Sequence, residues 1–229
     1  MKQMKVELIR HTLSPEELIA LGARMCYSKA NLADLQKRVS ESDQAEFVGK
    51  VMGMGHESVL EHASFTFGVE GVSRVLLAQI TRHRLASFSV QSQRYTGANL
   101  AMVTPESMYS YDLIDDIADV KAAVKRLYDH AIALGVPAED ARYFTLQGGH
   151  TAFLMTMNVR ELRHFFSLRC CNRAQWEIRA LADEMLRLCK EVAPMLFADA
   201  GPGCVRGKCP EGDKCCGKPK KAAEMRENA

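Results

Sequence analysis

Residues 63–84 read ASFTFGVEGVSRVLLAQITRHR, and this stretch decides the expected fold class. Its first part alternates apolar and polar residues, with Phe65 and Phe67 on one face, which is typical of a half-buried strand. The apolar residues then change to helical spacing, which predicts a helix ending near Ile80, directly before the polar segment 82–84. A strand that passes at once into a helix indicates a mixed fold of helices and strands.

Patterns of the same two kinds recur along the chain. Ser14, Pro15 and Glu17 form a capping box with proline at the first helical position, which predicts a helix to about Tyr27. The other predicted elements are a helix from Ser42 or Asp43 to about Met54, an extended segment over 85–95, an amphipathic helix from Ile114 to Gly135, a strand over 151–157, a helix capped by Asn158 and a helix over 174–196. Together they predict an α+β fold, mainly an antiparallel sheet flanked by long helices.

The composition excludes several classes of protein. The chain has 229 residues, of which 47% are apolar and 25% charged, as in ordinary globular proteins. Its apolar runs are far shorter than the ~20 residues that cross a bilayer, and the N-terminus has no signal-peptide pattern. We therefore expect a single domain over residues 1–203, located in the cytoplasm and without a membrane partner.

The C-terminal segment, residues 204–229, differs in composition from the rest. It is rich in Gly, Pro, Lys and Cys without periodicity, which predicts a flexible tail. It carries seven Lys and Arg against four Asp and Glu, a net +3, so with +2 for the whole chain the body carries −1. A body of that charge cannot attract a polyanion over long range, so no nucleic-acid partner is predicted.

No metal site is predicted. His56 and His62 would face different sides of a helix, because six residues rotate the direction by about 240°. The tail cysteines, Cys204, Cys209, Cys215 and Cys216, lack the paired CxxC spacing of structural zinc. A zinc knuckle in the tail is the alternative hypothesis.

The remaining cysteines and the single tryptophan are assigned to packing. Cys26 and Cys189 lie in helical apolar patterns and are predicted in the core, as is Trp176. Cys170 and Cys171 lie beside an arginine, which could activate a thiolate nucleophile. Vicinal cysteines on a helix are more often packing residues, so we predict that this pair takes no part in catalysis.

The segment that follows the predicted helix is rich in arginine. Residues 82–95 read RHRLASFSVQSQRY and contain no Asp or Glu. Arginine presents a planar fork of donors that matches phosphate, and the hydroxyl of Ser92 adds a neutral partner. Gln79 and Arg82 share a helix face because they are three residues apart. These residues indicate a phosphate or nucleotide pocket, with a surface arginine cluster paired to acids as the alternative.

Three stretches of the chain resemble the flavin-dependent thymidylate synthase (ThyX) family. In residues 82–94, RHR is followed after seven residues by Ser and then Arg, as in the family signature. Residues 55–67, GHESVLEHASFTF, and residues 157–179, MNVRELRHFFSLRCCNRAQWEIR, resemble two further family blocks in the right order and spacing. The resemblance covers about residues 53–179.

The resemblance implies a reaction and its partners. The family methylates dUMP to dTMP without a protein nucleophile. Methylenetetrahydrofolate supplies the carbon, and FAD reduced by NADPH supplies the hydride. The resemblance also implies a homotetramer whose active sites are shared between subunits. The competing hypotheses are a nucleotide-binding or RNA-binding module and a zinc-dependent nucleotide enzyme that uses the tail cysteines.

The resemblance also implies roles for individual residues. Arg169 matches the arginine that stabilises the ionised N3 of the pyrimidine, so it is the predicted catalytic residue. The predicted dUMP-binding residues are Gln79, Arg82, Val90, Gln91, Ser92, Gln93, Arg94, Arg142 and Arg169. The predicted FAD-binding residues are His56, Ser58, Arg82, His83, Arg84, Val90, Asn158, Arg160 and His164.

The chain departs from the family pattern at three places. Val90 stands where relatives often carry a Glu or Gln that touches both ligands, so a side-chain hydrogen bond is lost there. His164 and Arg173 stand where some relatives carry Asn and His. Residues 146–149, LQGG, replace a more usual Leu-Pro stretch, so the local backbone is expected to differ.

Overall fold

The structure, a computed structural model, describes residues 4–220. The strands in this range are β1 (Lys5–His11), β2 (Ser64–Ser73), β3 (Ala86–Val90) and β4 (His150–Asn158). The helices are α1 (Pro15–Tyr27), α2 (Leu32–Ser40), α3 (Ala45–Gly53), α4 (Arg74–Ile80), α5 (Glu106–Ser110), α6 (Ile114–Ala133), α7 (Ala138–Ala141), α8 (Val159–Arg169) and α9 (Trp176–Val192). Short 3-10 turns occur at Glu57–His62, Arg142–Phe144, Gly203–Arg206 and Gly212–Lys214.

The predicted fold class is confirmed. The strands form an antiparallel sheet in the order β1-β2-β4-β3. The long helices α6 and α9 have 20 and 17 residues. Residues 63–84 fold as predicted. Their alternating part forms β2, and the chain then enters α4 directly after Ser73.

The chain divides into two compact units. Within the described range, the first unit comprises residues 4–5, 68–82 and 88–154, and the second comprises residues 6–67, 83–87 and 155–220. Each unit is described below by itself.

The core of the second unit is built on an aromatic cluster. Phe197 meets Phe65 edge to face, with ring centroids 5.6 Å apart, and meets Phe166 in the same way at 5.9 Å. Phe165 lies 5.6 Å from Phe166, and all four rings are fully buried. Edge-to-face pairs of this kind add to the free energy gained by burying apolar area. The cluster therefore holds β2, α8 and the segment after α9 together.

In the first unit, residues 146–149 lie close to residues 101–103. Met102 and Gly149 form an isolated antiparallel bridge, and the Val103 amide donates to the Gly148 carbonyl at 2.9 Å. A Cβ on Gly148 would lie 2.8 Å from Met102 Cγ, and one on Gly149 would lie 2.9 Å from the Leu146 carbonyl oxygen. Side chains do not fit at either position, which explains the two glycines of LQGG.

The same stretch supports the start of α4. The amides of Arg74 and Val75 donate to the carbonyls of Gly149 and Gln147, each at 3.2 Å. The hydroxyl of Ser73 accepts from the Leu76 amide at 3.0 Å. These bonds satisfy amides at a helix N-terminus that have no partner inside the helix. They fix the start of the helix that leads to residues 79–82.

Several predicted element boundaries are wrong. Ser14 has φ of +43° and its side chain makes no cap, although α1 begins and ends as predicted. Glu16 in the first turn instead accepts from the Met195 amide at 3.0 Å. Helix α3 begins after Gln44 rather than after Ser42 or Asp43, and α2 was not predicted. The extended segment ends at Val90, since residues 93–95 form a turn.

Two core assignments are also wrong. Cys26 is exposed, and its thiol donates to the Gly22 carbonyl within α1. Trp176 is 44% exposed because it is the first residue of α9, where the side chain lies off the apolar face. Cys189 is buried in the same helix, as predicted.

The Cys-rich segment, residues 204–220, makes contacts with other parts of the second unit. The Asn172 side-chain amide donates to the Lys218 carbonyl at 3.4 Å, and Lys220 Nζ donates to the Cys170 carbonyl at 3.3 Å. The sequence of this segment has no periodicity. In agreement, the helical structure over residues 204–220 is confined to short 3-10 turns. The flexible character of the tail and the boundary at residue 203 stay predictions, and residues 221–229 lie outside the described range.

Candidate active site

The imidazole of His83, the middle residue of the RHR motif, lies in a buried network in the second unit. His83 Nδ1 is 2.9 Å from Glu161 Oε1, and both side chains are less than a tenth exposed. On the other side of the ring, Arg169 Nε donates to His83 Nε2 at 3.1 Å. The ring also stands edge-on to Phe165, with centroids 5.0 Å apart. The network thus brings the motif into contact with the predicted catalytic arginine.

The polarity of these bonds follows from the groups involved. A guanidinium has only donors, so His83 Nε2 must present its lone pair to Arg169, and the ring proton must be on Nδ1, where it is donated to Glu161. Burial lowers the pKa of His83, and the positive charge of Arg169 lowers it further, while the hydrogen bond to Glu161 opposes both effects. His83 is therefore a neutral imidazole with a defined tautomer.

Both nitrogen atoms of the His83 ring are thus used inside the protein. The family resemblance implies a flavin-binding role for His83, but a flavin can meet this residue only through its backbone or ring edge. Its neighbours Arg82 and Arg84 have exposed side chains, and cations of this kind suit a phosphate. Within the motif, His83 is therefore a buried residue that links Glu161 to Arg169, and Arg82 and Arg84 are exposed cations.

Helix α8 carries two further predicted FAD residues, Arg160 and His164, and a third, Asn158, is its N-cap. The Asn158 side chain accepts from the Glu161 amide at 2.8 Å, so the predicted cap is confirmed. Arg160 is half exposed, and its Nη1 lies 2.6 Å from Glu61 and its Nε 3.7 Å from Glu57. His164 is exposed one turn later, so Arg160 and His164 share a face as predicted.

The other predicted FAD residues of the second unit precede β2. His56 Nδ1 is 3.0 Å from the Tyr27 hydroxyl, which ties the segment to α1. Ser58 lies in the following 3-10 turn and is exposed. The His62 ring packs against Gly22 of α1. A Cβ added to this glycine would lie only 3.1 Å from His62 Cδ2.

The first unit holds most of the predicted dUMP-binding residues, and Glu139 connects two of them. Arg94 Nε is 2.6 Å from Glu139 Oε2, and Arg142 Nε donates to the Glu139 carbonyl at 3.0 Å. Two guanidinium groups thus lie at Glu139, which has one carboxylate. The positive charge around this residue therefore exceeds the negative charge. Part of the alternative hypothesis is correct, since Arg94 is paired with an acid.

The turn after β3 places the rest of the motif. Ser92 Oγ accepts from the Arg94 amide at 3.2 Å, so these residues lie in a turn rather than in the extended segment predicted over 85–95. The Gln91 amide donates to the Ala152 carbonyl at 2.9 Å, which keeps the segment beside β4. Gln93 is 8% exposed, and its Nε2 has no hydrogen-bond partner among residues 4–220. A buried amide without a partner is costly unless a ligand or water supplies one.

The two units divide the predicted site residues. Gln79, Arg82, Arg142 and residues 90–94 lie in the first unit. Arg169 lies in the second, together with the FAD residues His56, Ser58, His83, Arg84, Asn158, Arg160 and His164. Val90, the last residue of β3, lies in the first unit, and the effect of its departure from the family pattern stays a prediction.

The sequence analysis did not predict two acids of the candidate site, Glu161 and Glu139. Glu161 follows Asn158 by three residues, the spacing of the acid in a capping box, but its carboxylate accepts from His83 instead. A signal was present, since Glu161 and Arg169 lie eight residues apart and so near the same face of one helix. No local signal connects Glu139 to Arg94, because 45 positions separate them.

Cys170 is not placed as a nucleophile. It is fully buried, and burial raises the pKa of its thiol well above the ordinary value, with Asp183 adding to the effect. The thiol is therefore protonated at neutral pH. The prediction that it takes no part in catalysis agrees with this environment.

Replacing Cys170 and Cys171 together by alanine should leave turnover largely intact. The Cys170→Ala change removes a buried sulfur and is expected to lower the free energy of unfolding by about 1 kcal/mol, without touching Arg169. Steady-state product formation and a thermal melt of the double variant check both parts. A variant that folds but has no activity would revive the nucleophile hypothesis.

The described residues contain neither a metal-binding cluster nor a membrane-spanning helix. In residues 4–220, no group of three or more His, Cys, Asp or Glu side chains is arranged to hold a metal ion. Over the same residues, no helix is long and apolar enough to span a bilayer.

The chain is similar to proteins of a known family. Residues 7–195 match the Thy1 family model, described as thymidylate synthase complementing protein. The chain therefore belongs to this family. The curated "Flavin-dependent thymidylate synthase" of Geobacter sulfurreducens is 50% identical, with 97% of each chain covered. The proteins of the same name from Clostridium tetani and Pyrococcus furiosus are 42% and 41% identical, covering 98% and 92% of this chain and 96% and 91% of their own.

A solved structure shows the same fold. The crystal structure of a UMP/dUMP methylase, PolB, from Streptomyces cacaoi bound with 5-Br dUMP superposes with a TM-score of 0.76. The match covers 86% of this chain and 94% of that chain, at 21% sequence identity. At this identity the likeness concerns the fold alone.

Proposed function

We propose that this chain is a flavin-dependent thymidylate synthase. It converts dUMP to dTMP by reductive methylation, with methylenetetrahydrofolate as carbon donor and NADPH-reduced FAD as hydride source. Curated relatives of that name, up to 50% identical over 97% of both chains, support the proposal. The solved protein with the same fold is named as a UMP/dUMP methylase.

The observation that carries the proposal is the arginine pair held by Glu139. Arg94 and Arg142 meet at this residue, and Gln93 in the same turn has a buried amide nitrogen without a partner in the described chain. A phosphate dianion is a better partner for two guanidinium groups than the single Glu139 carboxylate, because it carries more negative charge and more acceptor oxygens. The amide supplies a donor for a neutral oxygen of the nucleotide. We assign this cluster to dUMP.

The exposed cations near the RHR motif fit the flavin dinucleotide. Arg82, Arg84 and Arg160 are exposed, and a pyrophosphate is the group that such side chains bind. Arg160 is paired with Glu57 and Glu61, so a flavin phosphate would exchange with one of these carboxylates. His56, Ser58 and His164 are exposed in the second unit, which also holds Arg84 and Arg160, and supply hydrogen bonds to the ring system or ribose.

The proposed chemistry needs charge stabilisation rather than a nucleophile. When bound, reduced FAD supplies the hydride that completes the methyl group. Arg169 contributes by donating to the N3 side of the pyrimidine, where negative charge develops as the ring carbon becomes nucleophilic. The buried, protonated thiol of Cys170 is consistent with a reaction without a protein nucleophile.

We further propose a homotetramer whose active sites are shared between subunits. The first unit exposes several large apolar side chains, including Tyr111 at 78%, Leu134 at 72% and Tyr143 at 81%. Apolar surface of this kind is typical of subunit interfaces. The cytoplasmic location, and the expectation of no nucleic-acid or membrane partner, stay predictions from the sequence.

The purified protein should be yellow, and NADPH should bleach its flavin absorbance. With dUMP and methylenetetrahydrofolate present, it should form dTMP, and omission of either substrate is the control. A colourless protein that neither binds FAD nor oxidises NADPH with dUMP present would contradict the proposal. Zinc in stoichiometric amount, or RNA binding by a flavin-free protein, would instead favour one of the competing hypotheses.

A further inference from the structure

We propose that Glu161 is a positioning residue, which orients the Arg169 guanidinium by holding His83 between the two side chains. Neither the resemblance nor the comparisons assign a role to Glu161. The inference rests on the proposed function only for the task of Arg169, and not for the network itself.

The network is built on one face of α8. Glu161, Phe165 and Arg169 are four residues apart in succession, so they lie near one line along the helix surface. The ends of this row are about 12 Å apart along the axis, at 1.5 Å per residue. The His83 ring packs edge-on against Phe165 in the middle and bonds Glu161 with one nitrogen and Arg169 with the other. The imidazole thus spans the gap between the two charged groups.

The hydrogen bonds run in one direction through the row. Arg169 donates to His83, and His83 donates to Glu161. A carboxylate is the acceptor that keeps the proton on Nδ1 and so leaves the lone pair on Nε2 for Arg169. Without an acceptor at Nδ1, the buried ring would have an unpaired N–H, and the other tautomer would present a proton to the guanidinium. The orientation of Arg169 therefore depends on Glu161.

The Glu161 carboxylate is not needed for the helix cap. Asn158 accepts from the Glu161 backbone amide, and the Val159 amide donates to the Ala63 carbonyl at 2.9 Å. These bonds use backbone atoms of α8 and leave the Glu161 side chain to His83. The carboxylate is also 7% exposed, and a buried charge of this kind is tolerated only where it has a partner.

The protonation state of His83 links the network to pH. Among residues 4–220, the charged or titratable groups that act on the pKa of this ring are Glu161, Arg169 and His164, all from α8. As pH falls through the His83 pKa, Nε2 takes up a proton and can no longer accept from Arg169. The activity should therefore decline on the acid side. Because Glu161 opposes the lowering of this pKa, removing its charge should move that decline to lower pH.

Two variants of Glu161 test the proposal by steady-state dTMP formation across pH. Glu161→Ala removes the acceptor, and kcat should fall by about 10²-fold, the order expected when a catalytic group is misplaced by about 1 Å. Glu161→Gln keeps an acceptor oxygen, so it should retain most of the wild-type kcat at neutral pH while its acid limb lies at lower pH. The control is Asp199→Asn, which weakens the 2.8 Å ion pair with Arg163 on the same helix and should leave the pH profile unchanged.

A second readout needs no turnover. Solid-state ¹⁵N NMR of histidine-labelled protein, assigned with a His83→Asn variant, should show His83 protonated at Nδ1 in wild type and in Glu161→Gln. The Glu161→Ala protein should lose this tautomer. If wild type forms no dTMP but these spectra hold, the proposed function fails and the network stands. The proposal is overturned if Glu161→Ala keeps the tautomer and full kcat, if Glu161→Gln is as inactive as Glu161→Ala, or if its acid limb is unmoved.

Discussion

Replacing Arg169 by alanine is expected to abolish dTMP formation, with kcat falling by about 10²- to 10³-fold or below detection. Removal of one preplaced donor to developing negative charge has an effect of that order. The side chain is held for this task, because its Nε donates to the buried His83 ring at 3.1 Å. Steady-state dTMP formation measures the effect, and a dUMP titration shows whether KM changes as well.

Two further variants separate charge from geometry in this test. Arg169→Lys keeps the positive charge but has no planar fork, so it should restore only a small part of the activity. Arg187→Ala removes a matched arginine, which is paired with Glu184 and Glu191 on α9, and should retain wild-type turnover. Near-normal kcat in a folded Arg169→Ala protein would remove the proposed catalytic role.

Replacing Phe197 by alanine should lower the free energy of unfolding by about 3–5 kcal/mol, the usual cost of truncating a buried phenylalanine. The ring is fully buried and contacts both Phe65 and Phe166 edge to face, so its loss leaves a cavity in the core of the second unit. A total stability of roughly 5–15 kcal/mol is usual for a domain. The variant should therefore unfold at much lower denaturant concentration, as followed by circular dichroism.

The control for this prediction is Trp176→Ala, which removes a larger ring that is 44% exposed. Its cost should be about 1 kcal/mol or less, because substitutions at exposed positions usually have small effects. If the two variants lose similar stability, the aromatic cluster does not have the role proposed for it. A Phe197→Leu protein should recover part of the loss, since it refills most of the volume.

Local patterns in the sequence predicted a large part of the structure. The alternation around Phe65 and Phe67 gave β2, the helical spacing that follows gave α4, and Asn158 gave the cap of α8. These features depend on interactions within a few residues, so the chain encodes them locally. The same holds for the α+β class, which follows from the order of such elements.

Where the predictions of caps and core residues are wrong, contacts with distant parts of the chain determine the structure. Ser14 has a capping pattern but adopts a left-handed conformation, and the neighbouring Glu16 bonds the Met195 amide instead. Cys26 lies on the same periodic face of α1 as Ile19 and Ala23 yet is exposed, because burial of that face ends before the last residues of the helix. Periodicity shows that a helix has a buried face but does not by itself show where that face ends.

The candidate site shows the same division. The sequence by itself determined which residue types are available, including the arginines of the motif and Arg169. Only the tertiary structure decided their partners, because Glu161 reaches His83 across 78 positions and Glu139 reaches Arg94 across 45. A hydrogen bond forms where the fold brings donor and acceptor within about 3 Å, and no local pattern encodes that distance. The sequence therefore determines which functional groups are available. The packing of the chain determines how these groups are oriented.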